Sequence, residues 1–326
     1  MEGWLTASGE VFAAVQGWLF EHLLEPGLHL AGLDNWLELG FDGVEFVLVG
    51  LIEVLLLLLV LRPLEAWRPA ERWSDRRGVG VDVAYTLLHR LGVVPLLFFL
   101  ILQPLADLLD ATLRLHGYVP FTLESVLPGL VDRPVLTFMA YLLLLDFAGY
   151  WQHRFQHRLE WWWALHALHH SQRRMSLWCD DRNHLIDDAL GAAWFALLAL
   201  LIGVPPGQFL ALALCTRVLQ SLAHANLRCS FGRWGNCLIV SPYFHRVHHG
   251  IGIGHQGDTQ GCNFAVLFPV WDLIFGTLRL DVPLQPTGID DQLRGRDYGA
   301  GFWDQQRLGM QRLFAALPWS DARKRA

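Results

Sequence analysis

Ten of the fifteen histidines fall between positions 153 and 249, and most of them are spaced as if on helices. "HRFQH" sets His153 and His157 four apart. "HALHH" sets His166, His169 and His170 at i, i+3 and i+4, and "HRVHH" repeats that spacing with His245, His248 and His249. His184 and His224 stand singly between these groups. Residues three and four apart share one face of a helix, so each group can aim two or three imidazoles at one point. Neutral imidazole suits iron, zinc, copper and nickel. One zinc takes three or four protein ligands, so eight to ten convergent histidines are too many for one ion and suit two. His22, His29, His89 and His116 are isolated and carry no such expectation. His255, in "GIGIGHQGD", reads as a loop histidine, with a contact to the site or substrate as the alternative.

Other metal chemistries fit less well. Heme needs one or two axial histidines and would leave most of these unexplained. A transporter would set its ligands near mid-membrane, inside the spans, whereas these groups flank them. A zinc hydrolase would need a catalytic carboxylate near an open site, for which Glu160 is the candidate. The five cysteines show no CxxC spacing, which argues against an iron–sulfur or structural zinc site and against a disulfide framework.

The elements that must carry these histidines are membrane helices. The chain is 53% hydrophobic and 17% charged, against about 25% charged in soluble domains. The net charge of −6 offers no footprint for nucleic acid. Apolar runs at about 44–61, 83–105 and 134–151 are long enough to span. Two shorter runs, 188–204 and 207–224, meet at Pro205-Pro206-Gly207 and form two spans or one hairpin. Glu53 lies in the middle of the first run, a costly place for a carboxyl. A hydrogen-bonded Glu53 facing the bundle is the preferred reading.

Residues 10–32 read as an interfacial amphipathic helix or a packed peripheral one, and the N-terminus has no basic region of the kind a cleaved signal peptide carries. No Lys or Arg precedes Arg62, and five arginines lie from Arg62 to Arg77. Arg154, Arg158, Arg173, Arg174 and Arg182 follow the third span. Basic loops stay in the cytoplasm, so the N-terminus is expected outside and the histidines inside, in a bacterial inner membrane. The tail "ARKRA", with the only lysine, Lys324, can touch anionic lipid. Trp161, Trp162 and Trp163 are expected to hold the histidine region against the headgroups, to pack the cap, or to do both.

"DFAGYWQHRFQH", "LHALHHS", "HAN", "SPYFHRVHHG" and "VWDLIFGTL" stand in an order that resembles the fatty acid hydroxylase/sterol desaturase superfamily, over about Asp146 to Leu278. That resemblance implies an all-α integral membrane fold: a small bundle of four to five spans, or fewer with a hairpin, under a cytoplasmic helical cap that holds a dimetal centre. It implies ligands at His153, His157, His166, His169, His170, His245, His248 and His249, with His184 and His224 matching less tightly. Asp146 and Asp272 are implied as acceptors for the ligands' second nitrogens, with Asp180, Asp181, Asp187 and Asp188 as further candidates. "CNFAV" departs from the Asn-Tyr-Gly common in the family at this point.

The implied chemistry is O2-dependent hydroxylation or desaturation of a lipid such as a fatty acyl chain or sterol, by two irons that zinc can replace. Side chains cannot break an unactivated C–H bond unaided. No dinucleotide loop, ferredoxin cysteine set or cytochrome b5-like segment is present, so electrons are expected from a separate ferredoxin or cytochrome b5-type donor. The arginines after the third span could dock it. The chain reads as one membrane domain: an interfacial segment 1–40, transmembrane helices 41–152, a histidine-bearing catalytic region 153–280 and a cytoplasmic tail 281–326.

Overall fold

The computed structural model describes all residues except 1, 74, 204, 205, 256, 258, 259 and 318–326. The lysine of the basic tail and Pro205 lie outside the described residues. The described chain is helical throughout, with two isolated bridges and no strands. Four helices among the described residues are long and apolar enough to cross a membrane: Asp34–Trp67, Val93–Leu115, Pro134–Arg158 and Leu185–Ile202.

Helices α1 (Glu2–Leu19) and α2 (Glu25–Leu30) form the N-terminal segment, joined by a π-turn. The first spanning run contains α3 (Leu37–Leu56) and α4 (Arg62–Trp67), continuous through a π-helical turn at Leu57–Leu61. At about 1.5 Å per residue its 34 residues reach further than the apolar thickness of a bilayer. Its far end enters the cap, where the buried Glu65 accepts from the backbone N–H groups of Leu177 (2.9 Å) and Asn226 (2.7 Å).

The second span corrects the expectation. The apolar run at 83–105 does not form one helix. Helix α5 (Val79–Arg90) ends at a turn in which Gly92 has φ +86°, and α6 (Val93–Leu115) makes the crossing. Glycine tolerates this left-handed backbone without a Cβ penalty. Arg90 explains why the break falls there: it is fully buried among carboxylates and anchors the end of α5. Gly50 of α3 passes so close that a Cβ there would fall on the Arg90 carbonyl. Gly50→Leu should therefore unfold the solubilised protein several degrees lower, a loss of about 1–3 kcal/mol from overpacking. An unchanged melting temperature would mean that α3 and α5 do not meet at this point.

After the short α7 (Leu123–Val126), α8 (Pro134–Arg158) rises through the bundle and continues into the cap, so the expected boundary at 152/153 falls inside one helix. Leu159 is extended (ψ 113°) and reverses the chain into α9 (Glu160–His170), which packs back on α8. Helices α10 (Leu185–Ile202) and α11 (Pro206–His224) return to the cap. The cap closes with α12 (Gly232–Gly235), α13 (Pro242–His248), α14 (Val270–Ile274) and α15 (Phe302–Ala316). An apolar layer of Tyr141, Leu142, Leu145, Ile202, Leu212 and Leu267 lies in the bundle, packed around α8, α10 and α11.

The tryptophan triplet packs the cap interior. Trp162 is buried and donates Nε1–H to Asp187 (2.7 Å), and Trp161 stacks on it. Trp163 stacks on His255 at 3.6 Å and 5°. A buried indole N–H needs an acceptor, and Asp187 supplies it.

Candidate dimetal centre

Three helices deliver the histidine groups to one place. Helix α8 carries His153 and His157 on one face, and the one-residue break at Leu159 turns α9 so that His166, His169 and His170 face them. Helix α13 starts at an Ser241 N-cap, whose hydroxyl accepts from Phe244 N–H (3.2 Å), with Pro242 at its first position. That start sets the register of His245 and His248, with His249 as its C-cap. His224 ends α11.

The ligand-capable atoms of His153, His157, His166 and His170 lie within 4.8 Å of one another, as do those of His169, His224, His245 and His249. His248 forms a third such set with His170 and His249, joining the first two. The Nε2 atoms meet in close pairs: His157–His170 at 3.1 Å, His248–His170 at 3.1 Å, His169–His224 at 3.1 Å, His224–His245 at 2.9 Å and His245–His249 at 3.2 Å. Nitrogens about 2.0–2.1 Å from one ion stand about 2.8–3.4 Å apart across an octahedral or tetrahedral edge. The spacings therefore fit nitrogens that share ions.

The far nitrogens support the same orientation. His153 Nδ1 faces the Phe264 carbonyl (2.8 Å) and His248 Nδ1 the Cys262 carbonyl (2.7 Å). His166 Nδ1 meets Asp187 (2.9 Å), and His224 Nδ1 meets the Gln220 carbonyl one turn back (2.9 Å) with Asp180 at 3.2 Å. Donating Nδ1–H leaves the Nε2 lone pair free for a metal and raises its basicity. His166 Nε2 is buried with no hydrogen-bond partner. Burial and the neighbouring imidazoles hold His169, His170, His245 and His249 well below the usual histidine range, and burial takes His248 down to about 3. All five are then neutral near pH 7, the form that ligates.

Nine of the ten expected ligands are thus brought together, and His184 is not. Its Nδ1 accepts from Ile186 N–H as the cap of α10, and its Nε2 meets the Gln306 carbonyl (2.9 Å). Gly309 of α15 lies so close that a Cβ would overlap the His184 ring. With both nitrogens occupied, His184 joins α10 to α15.

The two implied carboxylates differ from expectation as well. Asp146 accepts from Leu267 N–H, Phe268 N–H and Trp271 Nε1–H (2.8–3.0 Å), and Asp272 from Phe264 N–H, Ala265 N–H and Thr277 (2.6–2.8 Å). Neither meets a histidine in these bonds. They fold the 262–277 loop whose carbonyls face His153 and His248. Asp187 and Asp180 are the carboxylates that meet histidines of this cluster, while Asp181 pairs with Arg90 and Asp188 with His89. Arg182 is buried against Asp82 and offers nothing to a docking protein, and Arg174 pairs with Asp75.

Glu53 is buried and hydrogen-bonded inside the bundle, as its sequence reading expected. Glu53 meets Arg90 at 3.2 Å and Arg217 at 2.9 Å. Arg90 also reaches Asp180 (2.9 Å), so a buried chain of charges links mid-span Glu53 to His224. An arginine inside an apolar stretch, "LLHRLG", was its sequence signal. His255 stands over Trp163, 5.8 Å from the His157 ring, and burial takes it down to about 4. A cavity of about 390 Å³ opens beside the histidines. His153, His166, His169, His224 and His245 form one wall, and Leu145, Phe195, Leu212 and Val266 are among the bundle residues that form another.

Residues 138–277 match the fatty acid hydroxylase family. Over 305 residues the chain is 26% identical to the ornithine lipid hydroxylase OlsE of Rhizobium tropici, which covers 89% of this chain and 82% of that one. It is 26% identical over 184 residues to alkylglycerol monooxygenase of Homo sapiens, covering 56% of this chain and 39% of that protein. It is 28% identical over 169 residues to the fatty acid hydroxylase vlmA of a Lecanicillium species, covering 46% and 43%. No solved structure matches.

Proposed function

We propose, from the match of residues 138–277 to the fatty acid hydroxylase family, that this chain hydroxylates a C–H bond of a membrane lipid with two irons, O2 and electrons from a separate carrier protein. It is an oxidoreductase. The convergence of nine buried imidazoles in overlapping sets carries the reading. The relatives, whose names describe lipid hydroxylases and monooxygenases, support the substrate class and favour hydroxylation over desaturation.

His153, His157, His166 and His170 would hold one iron, and His169, His224, His245 and His249 the other, with His248 between them. Bound there, the irons supply the O2-derived oxidant that an unactivated C–H bond requires. The protein does the rest. Asp187 fixes His166 in one tautomer, and the Gln220 carbonyl, with Asp180 beside it, does the same for His224. The Phe264 and Cys262 carbonyls orient His153 and His248. The apolar wall of the cavity admits a lipid from the bundle and keeps bulk water from the reacting carbon. Glu160, on which a zinc hydrolase reading relied, is exposed at the start of α9, so nothing here favours that reading.

The arginine distribution supports a cytoplasmic cap, where a reduced carrier can reach it. A cysteine introduced at Gly3 should react with an impermeant reagent from outside the cell, and one at Arg76 should not. The reverse pattern would put the cap on the wrong side. The test of function is turnover under 18O2. Iron-loaded protein with lipid and O2 alone should give at most one turnover. Adding a ferredoxin or cytochrome b5 system should start catalysis and place 18O in the alcohol. A single ion at full occupancy, with activity that needs neither O2 nor reductant, would overturn the reading.

A further inference from the structure

The cavity beside the histidines has a lining that a hydrocarbon tail does not explain. Gln152, Asn183 and Gln220 line it, and among the described residues their carboxamides have no hydrogen-bond partner. Arg217 lines it too. Its side chain is 22% exposed, and its ion pair is with Glu53, whose side chain is 4% exposed in the first span. The Arg217 guanidinium also lies 5.6 Å from the Phe46 ring. A buried charge pair at membrane depth is costly and marks function by default. Here it holds a cationic donor at the cavity.

We infer that this cavity receives the polar, carbonyl-bearing end of an acyl lipid, and that Gln152, Asn183, Gln220 and Arg217 determine that specificity. The inference rests on the hydroxylase reading and names the part of the substrate that faces the metals. Carboxamides and a guanidinium donate to ester, amide or carboxylate oxygens, and carboxamides also accept from an amide N–H or a hydroxyl. A hydrocarbon chain would displace water from these groups and return no hydrogen bonds. Each group left unpaired weakens such binding about tenfold or more. The bond hydroxylated then lies in the polar head or within the first few carbons of the acyl chain.

The test uses the zinc-loaded, non-reacting protein in detergent, with N-palmitoyl ornithine and chain-matched hexadecane as probes, read by tryptophan fluorescence. N-palmitoyl ornithine should bind at least about tenfold tighter than hexadecane. Asn183→Leu with Gln220→Leu should weaken the amide lipid about tenfold and strengthen hexadecane, with zinc content unchanged. Arg217→Met should weaken the amide lipid similarly; should it fail to fold, the leucine pair still decides. Equal binding of the two probes, or leucine variants that bind the amide lipid as the wild type does, would overturn the inference. In the iron-loaded enzyme with reductant and O2, tandem mass spectrometry should find the new hydroxyl at the polar end, and a hydroxyl near the methyl end would also overturn it. If no lipid is oxidised, the hydroxylase reading fails, and the zinc-form binding still decides this one.

Discussion

Replacing His166, His169 and His170 together should take bound metal from two ions per chain to one or none. The three imidazoles belong to both principal ligand sets, His166 and His170 to one and His169 to the other, and His170 also meets His248. His169→Ala or His248→Ala alone should lower metal content and abolish turnover, measured by elemental analysis beside the activity assay. His116→Ala is the control. Its Nδ1 meets only the Thr112 carbonyl one turn back, on an exposed helix end, and both metals should stay. His89 makes a poorer control than its sequence suggests. It pairs with Asp188 at 3.0 Å behind the cavity wall, so its removal should lower stability while sparing metal. Full metal retention in the triple variant would remove the basis for the two-ion centre.

Arg90→Met should cost more stability than any other single replacement among the charged residues. Arg90 is 1% exposed and meets Glu53, Asp180 and Asp181 at 2.9–3.2 Å. Losing it leaves carboxylates buried without their partner, a loss of about 3–5 kcal/mol. The effect should reach the metals, because Asp180 holds both Arg90 and His224. Denaturant unfolding in detergent, paired with metal analysis, reads both. Arg90→Lys keeps the charge but cannot fork to three carboxylates, so it should fall between the two. A wild-type unfolding curve for Arg90→Met would mean that this network does not form.

The histidine arrangement was legible in the sequence because it is local. Spacings of three and four residues become one helix face wherever a helix forms. Nothing distant is needed to see that His166, His169 and His170 can converge, or that His245, His248 and His249 repeat the pattern. The membrane class was legible for a similar reason, since a span depends on the length and apolarity of a single run. Other assignments depended on partners far along the chain. His184 looks like a ligand until Gln306, 122 residues later, takes its Nε2. Asp146 sits two turns before His153, yet its carboxylate goes to Leu267, Phe268 and Trp271. The tryptophan triplet has a composition suited to headgroups, and Asp187 draws its middle member inward.

Only the tertiary structure could join Glu53 to Arg90 and Arg217, because each alone is a costly charge in an apolar stretch and the pair exists only once α3, α5 and α11 pack together. Periodicity therefore determined that imidazoles would share faces and that helices would cross a membrane. Hydrogen-bond satisfaction decided which imidazoles keep a free nitrogen. A buried polar group must find a partner somewhere in the fold, and sequence distance puts no limit on where that partner lies.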